Sequence, residues 1–262
     1  MITRSWVIPS VARDLQVTTA MLVVMTALVT STGCSDAGAD VPRGASVTEP
    51  SLTTVLIDRS GSRTPHEMAG DRQLLADIIG ELGFGERIVV LQVHHSGRSD
   101  GARRWASAMP RPSQPESPTP VDRQSLTRTR SAAALAATAL FDSARANRTD
   151  LIATLFDVSD VIRGSQPAHS RIIMLSDMLQ STPEMNMEKG GAAPEQWLRD
   201  KKRQGLLPDL ARACIVVVGG DRSTEAGARV FRFWQEYFSA AGAELKPSNY
   251  RYTAMGGGGL GC

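Results

Sequence analysis

The sequence predicts an α/β fold: a doubly wound, mainly parallel sheet with helices on both faces. Three observations predict it. Short apolar runs alternate along the chain with stretches of helical periodicity. The runs are continuously apolar, which is how strands covered on both faces read. Polar clusters fall at the ends of those runs, where open α/β sheets place their sites. The composition suits a globular domain, with 42% hydrophobic and 21% charged residues in a chain of 262. A formal net charge of +2 is too small to argue for nucleic acid or an anionic membrane as the ligand.

The first strand is expected at about 52–57, where "LTTVLI" is β-branched and apolar. A helix follows, with Leu74, Leu75, Ile78, Ile79 and Leu82 on one face. A second strand is expected at 88–93. The stretch 96–124 reads as an insert without regular structure, because "MPRPSQPESPTP" puts five prolines into twelve residues. An alanine-rich helix is expected over roughly 130–146, with Leu135, Leu140 and Phe141 inward, and another from near Thr149. A strand at 171–176 stops at Asp177, an irregular segment fills 178–193, and a short charged helix covers 194–204. The strand 213–220 leads into the strongest helix, 223–242, with Val230, Trp234, Tyr237 and Ala241 as its apolar stripe. A short strand at 249–254 and a glycine-rich tail, 256–262, end the chain.

The N-terminus is a separate problem. Residues 17–30 form an uncharged apolar run of 14 behind Arg4 and Arg13. A bilayer-spanning helix needs about 20 apolar residues, so 1–34 reads as a secretory signal. It ends in "STGC", which resembles the lipobox of bacterial lipoproteins, and that resemblance implies lipidation at Cys34. An uncleaved anchor is the rival reading. Residues 35–48, small and polar, read as a tether to the domain at 49–255. The expected location is therefore extracytoplasmic and membrane-anchored. Cys214 and Cys262 then form an even pair in a compartment that permits disulfides. Cys214 nevertheless opens an apolar run and reads first as a small buried hydrophobe. No Cys/His grouping suggests zinc.

Three polar segments belong together. Asp58, Ser60 and Ser62 follow the first strand; Thr149, beside Asp150, starts a helix; Asp177 ends the strand "RIIMLS". A doubly wound sheet can bring all three loops to one edge. Three hydroxyls and two carboxylates offer oxygen-only ligation of a hard divalent cation, Mg²⁺ first, with Mn²⁺ or Ca²⁺ as alternatives. Hydroxyls bonding the ion directly, with Asp58 and Asp177 acting through water, leave it undercharged. Such an ion seeks one more anionic ligand, for instance a carboxylate from another protein. Gly61 is expected to let the loop turn sharply.

"DRSGS" after an apolar strand resembles the Asp-x-Ser-x-Ser signature of von Willebrand factor A domains. Thr149 and Asp177 fall in the order of that family's second and third metal-site loops. The third loop reads "LSDM" where the family has Thr-Asp-Gly. The resemblance covers residues 49–255 and implies a Rossmann-like sheet. It also implies a metal ion-dependent adhesion site made by Asp58, Ser60, Ser62, Thr149 and Asp177. What it implies functionally is partner binding, not catalysis.

Simpler readings stand beside these. Asp, Ser and Gly after a strand make an ordinary turn, and Thr149 is a natural helix cap. Ser60 lacks the Gly-x-Ser-x-Gly context and paired His of a hydrolase. His94 and His95 point to opposite sides of their strand. Arg59 and Arg63 flank the site and are expected to steer an acidic partner. The expectation is a metal-dependent binding module at the cell envelope, with an envelope protein presenting an acidic residue as partner. The alternatives are a metal-independent scaffold of a secretion or conjugation apparatus and, third, a Ser-dependent hydrolase.

Overall fold

β1 (Ser51–Ile57) forms the middle of the sheet because almost every side chain on it is apolar or β-branched and almost every one is buried. It pairs in parallel with β2 (Arg87–Gln92) on one side and β4 (His169–Leu175) on the other. β5 (Cys214–Val218) and β6 (Tyr250–Arg251) extend the parallel sheet beyond β4. β3 (Arg104–Ala108) closes the other edge, antiparallel to β2, and the strand order is β3-β2-β1-β4-β5-β6. This is a Rossmann-like α/β fold. The computed structural model describes residues 51–95, 104–143, 147–188 and 195–253. The leader with Cys34, the tether and the glycine tail lie outside them. No described helix is long and apolar enough to cross a membrane.

The period-two alternation of β1 sorts the helices between two cores. Leu52 and Leu56 face a core shared with α3 (Leu151–Ser165), α4 (Glu195–Arg203) and α5 (Glu225–Ala240). Val55 and Ile57 face the opposite core, filled by α1 (Pro65–Glu81) and α2 (Pro120–Thr138). Trp234, Tyr237 and Phe238 of α5 are wholly buried and stack edge-on or tilted at centroid distances of 5.4–5.9 Å.

The structure departs from the sequence reading most in the expected insert. β3 and the first turn of α2 lie inside 96–124, and α2 begins ten residues before the expected start at 130. Thr119 caps that helix in a reciprocal box with Asp122, and Pro120 occupies the first turn, where its missing N–H costs nothing. The last proline of the run therefore starts a helix. Leu135, expected inward, is 77% exposed. Cys214 is disulfide-bonded, while the other two cysteines lie outside the described residues.

The sheet reverses direction of growth at β1. The chain steps outward to β2 and β3, then returns to lay β4 on β1's other side. The crevice beyond the carboxyl ends of β1 and β4 is the place where such sheets bind ligands.

Candidate functional site

Asp58 stands at that crevice. Its N–H continues the β1–β4 ladder by donating to the Leu175 carbonyl at 3.0 Å. The carboxylate is 1% exposed and held at both oxygens. Oδ1 accepts from the Ser60 N–H at 2.9 Å, and Oδ2 accepts from the Ser176 hydroxyl at 2.7 Å. The Ser60 and Ser62 hydroxyls lie 2.8 Å apart, with Ser60 buried and Ser62 exposed. A bond from the Arg63 N–H to the Ser60 carbonyl closes the turn. Gly61 is not what makes it possible. Its φ is not positive, and a Cβ there would meet nothing within 4 Å.

Asp177 follows β4 and acts electrostatically on Asp58. Burial first, and Asp177 second, push the Asp58 carboxyl up to about 6. The Asp177 side chain accepts from the Leu179 N–H at 3.0 Å and shapes the turn. Met178 takes the left-handed conformation, φ 65°, that a glycine adopts without strain. Three contacts hold it there. Its N–H donates to the Ser176 hydroxyl at 3.0 Å, its carbonyl accepts from the Trp234 indole at 2.8 Å, and its side chain is fully buried. "LSDM" thus builds a glycine-type turn without the glycine.

Thr149 reaches the same edge through its neighbours. Its carbonyl accepts from Ser181, and the next N–H, of Asp150, donates to the carbonyl of His94 just past β2, both at 2.8 Å. The capping role falls to Asp150, not Thr149. Asp150 accepts from the Ala153 N–H at 3.0 Å and is itself held by Gln180 at 2.9 Å. The Thr149 hydroxyl is therefore left over: buried, with no hydrogen-bond partner. Sequence reasoning missed Ser176 and Gln180 as supports of Asp58 and Asp150. Ser176 was legible as the hydroxyl beside Asp177, whereas nothing in the sequence singles out Gln180.

Both flanking arginines are engaged within the fold. Arg59 donates to the Leu140 carbonyl and the Ser143 hydroxyl. Arg63 is buried and ion-paired with Asp71 of α1. His94 is buried against Asp157 at 2.6 Å, and His95 is exposed.

The residues fit a hard cation. A buried hydroxyl without a partner costs about 1–3 kcal/mol, and the main influences on the buried Asp58 charge include no cationic side chain. An oxygen-seeking ion answers both. Among the described residues no three His, Cys, Asp or Glu side chains gather as a metal cluster. The donor set is instead hydroxyl-rich, and that chemistry favours Mg²⁺ over zinc or copper.

No protein-family model matches this sequence, and no curated protein shows significant similarity to it. Among solved structures the chain is similar to a von Willebrand factor type A protein from Catenulispora acidiphila. The two are 13% identical, and the match covers 74% of this chain and 43% of that one at a TM-score of 0.34. The chain thus spans less than half the length of that structure. A likeness this distant carries no functional information.

Proposed function

We propose that this protein is a metal-dependent protein-binding module. Ser60, Ser62 and Thr149 would ligate Mg²⁺ through their hydroxyls, and Asp58 and Asp177 would act through its waters. Bound there, the ion supplies an open coordination position that a partner's carboxylate can fill. The observation that carries this reading is the orphaned Thr149 hydroxyl, buried at the edge where Asp58 and Asp177 already repel one another. The lipobox-like "STGC" and the tether motivate the further proposal that Cys34 anchors the domain at the outer side of a membrane. The partner is then an envelope protein with an exposed acidic residue.

Thermal melting in Mg²⁺, in Mn²⁺ and in EDTA tests the metal. Ligand at about a hundred times its dissociation constant stabilises a protein by about 2.7 kcal/mol, so Mg²⁺ should raise the melting temperature of the wild type and not of Asp58→Ala. Equal melting in Mg²⁺ and EDTA defeats the reading. Metal-dependent crosslinking from native membranes, abolished in Asp58→Ala, tests the partner.

A further inference from the structure

Arg63 is the feature the proposed function does not use. It follows the Asp58–Ser62 loop directly, yet only 2% of it is exposed, among the largest fully buried side chains of the protein. Arginine is almost never buried to this degree unless paired. Its pairing here is partial: Nη2 bonds Asp71 Oδ2 on α1, while Nε and Nη1 are buried without partners. A half-satisfied buried cation is costly, and a chain that keeps one needs a reason for it.

Its position supplies that reason. A Cβ built on Gly219, just past β5, would lie 2.1 Å from Arg63 Nη1 and 2.8 Å from the Ser176 carbonyl oxygen. The guanidinium therefore occupies the space that any side chain at 219 would fill. Gly219 holds φ 107°, a conformation open to glycine alone. Arg63 thus touches three segments at once. It belongs to the loop of Ser60 and Ser62, it packs beside Ser176, whose hydroxyl holds Asp58, and it reaches the end of β5. Asp71 fixes the fourth corner from α1.

We infer that Arg63 is a positioning residue that braces the Asp58–Ser62 loop against the ends of β4 and β5, and so sets the geometry in which a cation is held. The inference deepens the proposed metal site and rests on it for the cation, though not for the brace. The pair with Asp71 is electrically closed, so the brace acts through shape and leaves the site's two negative charges to the metal. Exchanging Asp71 and Arg63 together removes the brace without stranding a charge.

The test uses the full chain as wild type, as Arg63→Met with Asp71→Asn, and as Arg63→Lys. Mg²⁺ and Mn²⁺ affinities are measured by calorimetry, and amide hydrogen exchange is measured in EDTA. Changes in residues that orient metal ligands typically weaken binding about 10- to 100-fold, and the double variant should fall in that range, with Arg63→Lys recovering part of the loss. In EDTA, exchange at residues 60–62 and 176–178 should quicken about tenfold in the double variant, with exchange in α2 unchanged. Unchanged exchange at those residues overturns the inference, and so does faster exchange with an unaltered metal affinity. Exchange that quickens everywhere also overturns it, since Arg63 would then only stabilise the whole fold. If the wild type binds neither metal, the proposed function fails, and the brace is decided by the exchange pattern alone.

Discussion

Replacing Asp58 with asparagine should stabilise the metal-free protein while abolishing its response to Mg²⁺. In the folded chain the Asp58 carboxyl is raised from 3.8 to about 6, by burial first and by Asp177 second. Folding therefore tightens its hold on a proton. Below about pH 4 both folded and unfolded chains keep that proton, and the group is neutral in its effect. As pH rises through 6 the folded state must carry a buried charge that the unfolded chain carries in water, and stability falls. At 1.36 kcal/mol per unit, the loss complete by pH 7 is about 3 kcal/mol. Asparagine keeps an oxygen for the Ser60 N–H, and its amide nitrogen donates to the Ser176 hydroxyl oxygen, so that bond is kept in reversed direction and without the charge. For a domain of this size 3 kcal/mol is roughly 6–12 °C in melting temperature. The assay is thermal melting of both proteins in EDTA from pH 4 to 8. The difference should open in favour of the variant between pH 4 and 7, and saturating Mg²⁺ should reverse it at pH 7. A variant that melts lower than wild type at pH 7 in EDTA, or a gap that ignores pH, would refute the reasoning.

Three further outcomes are expected. Thr149→Val deletes the orphaned hydroxyl in nearly the same volume, so the melting temperature in EDTA should hold or rise while the Mg²⁺-induced shift disappears. Met178→Gly relieves a left-handed residue, but empties a fully buried site. The cavity should dominate, and denaturant titration should show a net loss of about 1–3 kcal/mol. Gly219→Ala forces a methyl group against Arg63 and the Ser176 carbonyl. It should lose at least about 2 kcal/mol by the same measurement.

What the sequence made legible followed from how each element is buried. β1, β4 and β5 are covered on both faces, so their apolar runs are unbroken and easily seen. β3 is an edge strand of five residues whose pattern is exposed and half-buried in turn, and "RWASA" carries too little apolar signal to separate it from a loop. The start of α2 was legible in principle, because "TPVD" holds the Thr cap, the first-turn proline and the acid of a capping box. The density of prolines before it masked the signal. At the site, Asp58, Ser60 and Ser62 were marked by a polar cluster breaking off a core strand. The fate of Arg63 was not so marked. An arginine in a surface-like loop reads as solvated until α1 offers Asp71 and β5 offers a glycine, and both are facts of packing.

The division of roles between Thr149 and Asp150 bears most directly on function. Either side chain can cap a helix, and a threonine cap would have satisfied its own hydroxyl. The fold gives the cap to Asp150, backs it with Gln180, and leaves Thr149 buried without a partner. With Asp58, the site then carries two separate unfavourable terms: about 1–3 kcal/mol for the hydroxyl and about 3 kcal/mol for the carboxylate at pH 7. Together they are a large share of the 5–15 kcal/mol that holds a typical domain folded. No described side chain partners the hydroxyl, and the bonds from Ser60 and Ser176 offset only part of the carboxylate's cost; the proposed cation would relieve both. If the cation is the reason for the arrangement, Thr149→Val and Asp58→Asn should each stabilise the metal-free protein and each abolish the stabilisation by Mg²⁺. The two gains should also be nearly additive in EDTA, because the hydroxyl and the carboxylate share no hydrogen bond. A loss of stability in both variants would instead make these residues ordinary parts of the fold.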